Sequence, residues 1–159
     1  MGETDGFWVG NAGHLWNVLV EPRRAENCNL RAVDLLERND PNSPNLAAAY
    51  NNLGSTYGDL GNYEKALEYK LKALAIREQV LPLDHPNNVM CRSNIALTYA
   101  QMGDYIRASE YMARALDSAE RSMKGHPNLE MYRQAAQLLE LCAMFQSAGE
   151  PLPIDNPFQ

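Results

Sequence analysis

Cysteine is scarce in this chain. There are three, Cys28, Cys91 and Cys142, far apart in sequence. An odd count without a short spacing makes neither a disulfide framework nor a Cys-x-x-Cys metal site, and a reducing compartment is the simpler reading. Long apolar runs are missing too, since none reaches the roughly 18 residues of a membrane span. The uncharged stretch from Phe7 to Val20 is interrupted by Asn11, His14 and Asn17 and follows Glu3 and Asp5. A signal peptide needs a basic start in that place. No Asn-x-Ser/Thr sequon occurs, and together these absences lead us to expect a soluble cytoplasmic protein. Positive charge is also in deficit, with 14 Lys and Arg against 20 Asp and Glu and a net charge of −6. Neutralising phosphates needs an excess of base, which argues against nucleic acid as a partner. The acidic excess lies at the two ends, while residues 46–127 are balanced.

Catalytic signatures are absent as well. There is no glycine-rich phosphate loop, no His-Glu-x-x-His and no close cluster of His and Cys. His85 and His126 each stand before a proline, which reads as a helix-entry residue and not as half of a metal site. Glu64, Lys65, Glu68 and Lys72 read as a solvated helix face. We therefore expect no enzyme activity, no cofactor and no metal. What the chain does have is 159 residues, 45% of them hydrophobic, enough for one packed domain.

The informative feature is internal repetition. The segment Tyr50-Asn-Asn-Leu-Gly-Ser-Thr-Tyr57 returns 42 positions later as Arg92-Ser-Asn-Ile-Ala-Leu-Thr-Tyr99. The same offset carries Gly61 onto Gly103, Tyr63 onto Tyr105, Ala66 onto Ala108, Tyr69 onto Tyr111 and Ala73 onto Ala115. A fainter upstream copy, at an offset of 41, aligns Asn11 with Asn52, Gly13 with Gly54, Trp16 with Tyr57 and Ala25 with Ala66. A half copy begins at Pro127, where Met131 and Arg133 match Met90 and Arg92. The copies read as helices. Pro44, Pro86 and Pro127 each open an apolar-periodic run, at the position where a missing N–H costs nothing. Gly61 and Gly103 close the first helix of each pair. Second helices are expected over about Tyr63–Leu81 and Tyr105–Met123, with Ala66, Tyr69, Ala73, Ile76 and Val80 on one face. Small residues let antiparallel helices approach, and Tyr57 and Tyr99 fill the space beside them.

These residues resemble the tetratricopeptide repeat, in the 42-residue style of kinesin light chains. The resemblance is carried by Tyr50-Asn-Asn-Leu-Gly, Ala73-Leu-Ala-Ile-Arg-Glu-Gln-Val-Leu and Asp84-His85-Pro86. It is strong over residues 46–127, weak over 8–45, where Pro22 stands in place of a tyrosine, and partial over 128–146. Lys70 and Arg92 occupy positions where an aromatic or apolar residue is usual. The resemblance implies an all-α fold, a right-handed superhelix or α-solenoid of three helix pairs plus a C-terminal capping helix. A single domain would cover 1–147, with repeats at about 8–45, 46–87 and 88–127 and the capping helix at 128–147. An extended Pro-rich tail would occupy 148–159.

For function the resemblance implies protein–protein interaction, with an extended peptide held in a concave groove lined by the first helix of each pair. Its groove positions fall on Gly10, His14 and Asn17, on Asn51, Ser55 and Asp59, and on Ser93, Leu97 and Gln101. The last helix adds Gln134 and Leu138, with Met90 and Met131 near the entrance. The early positions are amides, a hydroxyl and an imidazole, suited to a peptide backbone. The later ones include apolar side chains that adapt to varied partners. The Lys and Asn clamp for chaperone C-termini is not matched, because its positions hold Asn51 with Ser55 and Ser93 with Leu97. The alternative is a structural or self-associating scaffold whose groove is filled by its own tail or another copy. No membrane partner is expected.

Overall fold

The computed structural model describes residues 22–152. Its regular elements are all helical: α1 (Pro22–Asn39), α2 (Pro44–Asp59), α3 (Tyr63–Val80), α4 (Pro86–Gln101), α5 (Tyr105–Ser122) and α6 (Asn128–Ala148). The expected first helix of the first repeat, with His14 and Asn17, lies outside the described residues, as do residues 153–159 of the tail. The chain divides into two compact units, with the boundary in sequence between Val80 and Leu81. Helices adjacent in sequence pack on each other within each unit, α2 against α1 and α3 in the first, α5 against α4 and α6 in the second.

The helix ends follow from local chemistry. Ser43 accepts the Leu46 N–H at its Oγ, 3.1 Å away, and Pro44 takes the first turn of α2. His85 does the same for α4, with Nδ1 accepting from Asn87 at 3.1 Å, and His126 Nδ1 accepts from Asn128 at 3.2 Å. Helix entry is thus what both histidines do. Gly61 and Gly103 stand at φ 75° and 79°, a left-handed conformation that costs a residue with a Cβ. Around each, the same pair of bonds closes the preceding helix: Asn62 N–H to Tyr57 O and Gly61 N–H to Gly58 O, then Asp104 N–H to Tyr99 O and Gly103 N–H to Ala100 O. Asn62 and Asp104 cap the next helix by accepting from Lys65 and Arg107.

In the first unit the core runs through Val33 and Leu36 of α1, Leu46, Tyr50, Leu53 and Tyr57 of α2, and Ala66, Ala73 and Ile76 of α3. Tyr69 lies against it, stacked on Tyr57 with ring centroids 5.6 Å apart. Of the face expected on α3, Val80 departs: it is 43% exposed. It is the last residue of a helix two residues longer than its partner α2, 18 against 16, so its side chain stands past the packed stretch. Close approach is literal at Gly54, where a Cβ would lie 2.9 Å from Lys70 Cγ and 3.0 Å from the Ala66 carbonyl oxygen. Asn29 of α1 is fully buried and donates to Thr56 Oγ1 at 2.8 Å, while Thr56 donates to the Asn52 carbonyl.

The second unit repeats the plan with different fillers. Val89, Ile95, Ala96 and Ala100 of α4 pack with Ala108, Met112, Ala115 and Ala119 of α5 and with Leu139 and Cys142 of α6, all buried. Arg92 replaces the aromatic of the preceding repeat and is still only 7% exposed. It stays there because Nη1 donates to the Leu83 carbonyl at 3.1 Å and to Ser118 Oγ at 2.7 Å; a buried guanidinium needs such partners. Arg121 pairs with Asp84 and Asp117, tying the 81–85 turn to α5. Gln146 of α6 reaches back across the unit: its Oε1 accepts from the Tyr105 and Ile106 N–H groups and its Nε2 donates to the Gly103 carbonyl. With Asp104 serving Arg107, the first three donors of α5 all have acceptors, as a helix start requires.

Candidate binding faces

A helix packed on one side leaves the other to solvent, and the residues of that open side are fixed by the helical period. On α2 the exposed or half-buried line is Ala48, Asn51, Asn52, Ser55 and Asp59. Asn51, Ser55 and Asp59 therefore share the open side of one helix. The Ser55 hydroxyl donates to the Asn51 carbonyl at 3.1 Å. The Asn51 side chain is different, since its Oδ1 is shut off from solvent and has no hydrogen-bond partner. The Asp59 carboxyl is pushed up from its ordinary value by local desolvation, with the Lys70 ammonium opposing.

In the second unit the open side of α4 carries Met90 (41% exposed), Asn94, Leu97 (39% exposed) and Gln101. Ser93 is placed differently: it is 7% exposed, and its hydroxyl donates to the Met90 carbonyl at 2.9 Å. On α6, Gln134 is exposed and Leu138 half-buried, with Met131 exposed one turn earlier. The same side continues to Leu141 and Met144, at 41% and 64% exposure. These two extend the apolar line and were not among the expected positions. The signal was present, because Leu141 follows Leu138 by three residues and Gln134 by seven, which is one helix face. Among the described residues no three His, Cys, Asp or Glu side chains gather as a metal site requires, and no helix is long and apolar enough to cross a membrane. Cys91 and Cys142 are buried and Cys28 is half-buried, all as free thiols.

Comparison with known proteins agrees with this architecture. A family model described as tetratricopeptide repeat matches residues 21–79 and 46–121. Among solved structures, the nearly identical TPR-like repeats of a kinesin light chain-type protein from Podosopora anserina superpose with a TM-score of 0.76 at 16% identity, over 88% of this chain and 68% of that one. A second structure of those repeats, with one substitution, gives a TM-score of 0.80 at 16% identity, over 93% and 72% of the two chains. At that identity the likeness is one of fold. No curated protein matches. With the family model covering more than half of its length, the chain belongs to the tetratricopeptide repeat family, whose domains are generally protein-interaction modules and typically non-catalytic.

Proposed function

We propose that this chain binds an extended segment of a partner protein in the concave groove of its repeats, through the open sides of the first helices. The observation that carries the reading is at Asn51. Its Oδ1 lacks a donor although the residue sits on an open helix side. Leaving such an acceptor unmet is costly, and a turn of the Asn51 amide about its last side-chain torsion brings the oxygen to the open side of the helix, where a peptide N–H satisfies it. Four residues on, Ser55 keeps acceptor capacity after donating to the Asn51 carbonyl. The second unit supports the other half of the reading. Leu97, Met90 and Met131 offer apolar surface to solvent, with Gln101 and Gln134 beside them. His14 and Asn17 complete the proposed set on the sequence pattern alone, and Ser93 enters it through its backbone neighbourhood more than through its buried hydroxyl.

A peptide selection against the full chain tests this. Peptides recovered on the wild type should bind Leu97→Asp at least about tenfold more weakly, because a charge would be set against an apolar anchor, while the melting temperature stays unchanged at so exposed a site. Selected peptides that bind both proteins equally would remove the second-unit face from the site.

A further inference from the structure

A separate feature lies between α5 and α6. It is a groove of about 430 Å³ whose floor is apolar, formed by Ala113 and Leu116 of α5 and Ala136 of α6. Its rim carries Ser109, Glu110, Asp117 and Glu120 on α5 and Glu140 on α6. Asp117 is paired with Arg121, and Glu120 with Arg133 at 3.1 Å. Glu110 and Glu140 have no ion-pair partner among the described residues, and no basic side chain lines the groove. We propose that this groove docks a basic segment of another protein, one that sets an apolar side chain on the Ala113–Leu116–Ala136 floor and Lys or Arg side chains against Glu110 and Glu140.

Charge decides among the occupants. The chain's own tail, 151–159, carries Asp155 and no base, and a second copy brings a net charge of −6; both meet like charge at the rim. Phosphates of nucleic acid or anionic lipid are repelled for the same reason. Length decides between a small organic cation and a chain. Glu110 and Glu120 are ten residues apart on one helix, about 15 Å at 1.5 Å per residue, which a peptide of several residues spans and a single ammonium does not. The apolar floor supplies the affinity that rim charges alone rarely give, and the carboxylates supply orientation and a fast encounter. This surface uses none of the residues proposed above for the open sides of α2, α4 and α6.

The test uses the full chain and two synthetic peptides, one alternating Leu and Lys, the other its Glu-for-Lys counterpart, followed by fluorescence anisotropy. The Lys peptide should bind and weaken with added salt, and the Glu peptide should not bind. Glu110→Gln combined with Glu140→Gln should weaken the Lys peptide roughly tenfold, with an unchanged circular dichroism melt. Neutralising two remote carboxylates, Glu64→Gln with Glu150→Gln, should leave it intact. Leu97→Asp should also leave it intact, which separates this groove from the peptide site above. Equal loss in the remote variant, binding of the Glu peptide, or an effect confined to a concentration-dependent dimer would overturn the proposal.

Discussion

Ala66 and Ala108 are both completely buried at equivalent places in their helix pairs, as their matching positions in the repeat imply. A position where only a methyl fits should resist enlargement. Ala108→Leu is expected to cost about 1–3 kcal/mol through overpacking, read as a lower urea midpoint with an unchanged slope; an unaltered midpoint would contradict the packing. The tyrosines give a second residue-scale test. The Tyr57 hydroxyl is pushed up to about 12, first by burial, then by the hydrogen bond and charge of Glu26. Tyr50 is raised by burial and then by Glu37. An unfolded tyrosine ionises near 10, so above that the unfolded chain sheds protons the folded one keeps. The stabilisation is whole below about pH 10 and declines as pH rises toward 12. Melting temperatures should fall across that window, and Tyr57→Phe should flatten the fall. Small and aromatic residues were legible because their demands are local. Arg92 was not: its tolerance in the core depends on Ser118 and the Leu83 carbonyl, 26 residues after it and nine before, and no spacing rule connects them.

Helix boundaries were readable where the chain carries its own stops and starts. Ser43-Pro44 and His85-Pro86 open α2 and α4, Gly61 and Gly103 follow their ends, and the observed second helices stop one residue before the expected limits. Contacts that join one element to another were hidden, and Gln146 is the clearest. It serves the start of α5 from 40 and 41 residues away, and nothing in its sequence surroundings says so. Gln146→Ala should free the Tyr105 and Ile106 donors and the Gly103 acceptor together. Because water reaches the site, the loss should be about 1 kcal/mol and not the full cost of three bonds. Faster amide exchange at Tyr105 and Ile106, with α4 unaffected, is the expected signature, and unchanged exchange there would mean that Asp104 alone secures the helix start. The α5–α6 groove was illegible for the same reason. Its acids look like an ordinary solvated face until α6 is laid beside α5.

At the scale of the whole molecule, the open sides differ in chemistry along the chain. The first unit offers Asn51, Ser55 and Asp59; the second offers Leu97, Gln101 and Leu138 between Met90 and Met131. The sequence gradient from amide to apolar was visible in the repeat alignment, and so was the spacing that continues it to Leu141, whereas the unmet Asn51 Oδ1 depends on how the side chain packs. If one extended peptide reads both kinds of surface, losses in the two units must combine. Asn51→Ala removes one hydrogen bond to the peptide and should cost about 0.5–1.5 kcal/mol of binding. Leu97→Ala removes part of an apolar contact and should cost about 1–2 kcal/mol. Asn51 stands on α2 and Leu97 on α4, so if the two act independently the double variant should lose the sum to within about 0.5 kcal/mol. Neither change should move stability much. Asn52→Ala should do the reverse, lowering stability with only an indirect effect on affinity, since Asn11, Asn52 and Asn94 repeat in every copy as a structural amide would. Calorimetry with a selected peptide measures all four proteins. A silent Asn51 beside a costly Asn52 would mean that the peptide is read from a different side of α2, and an additive pair with a neutral Asn52 effect on affinity would place one ligand on both kinds of surface.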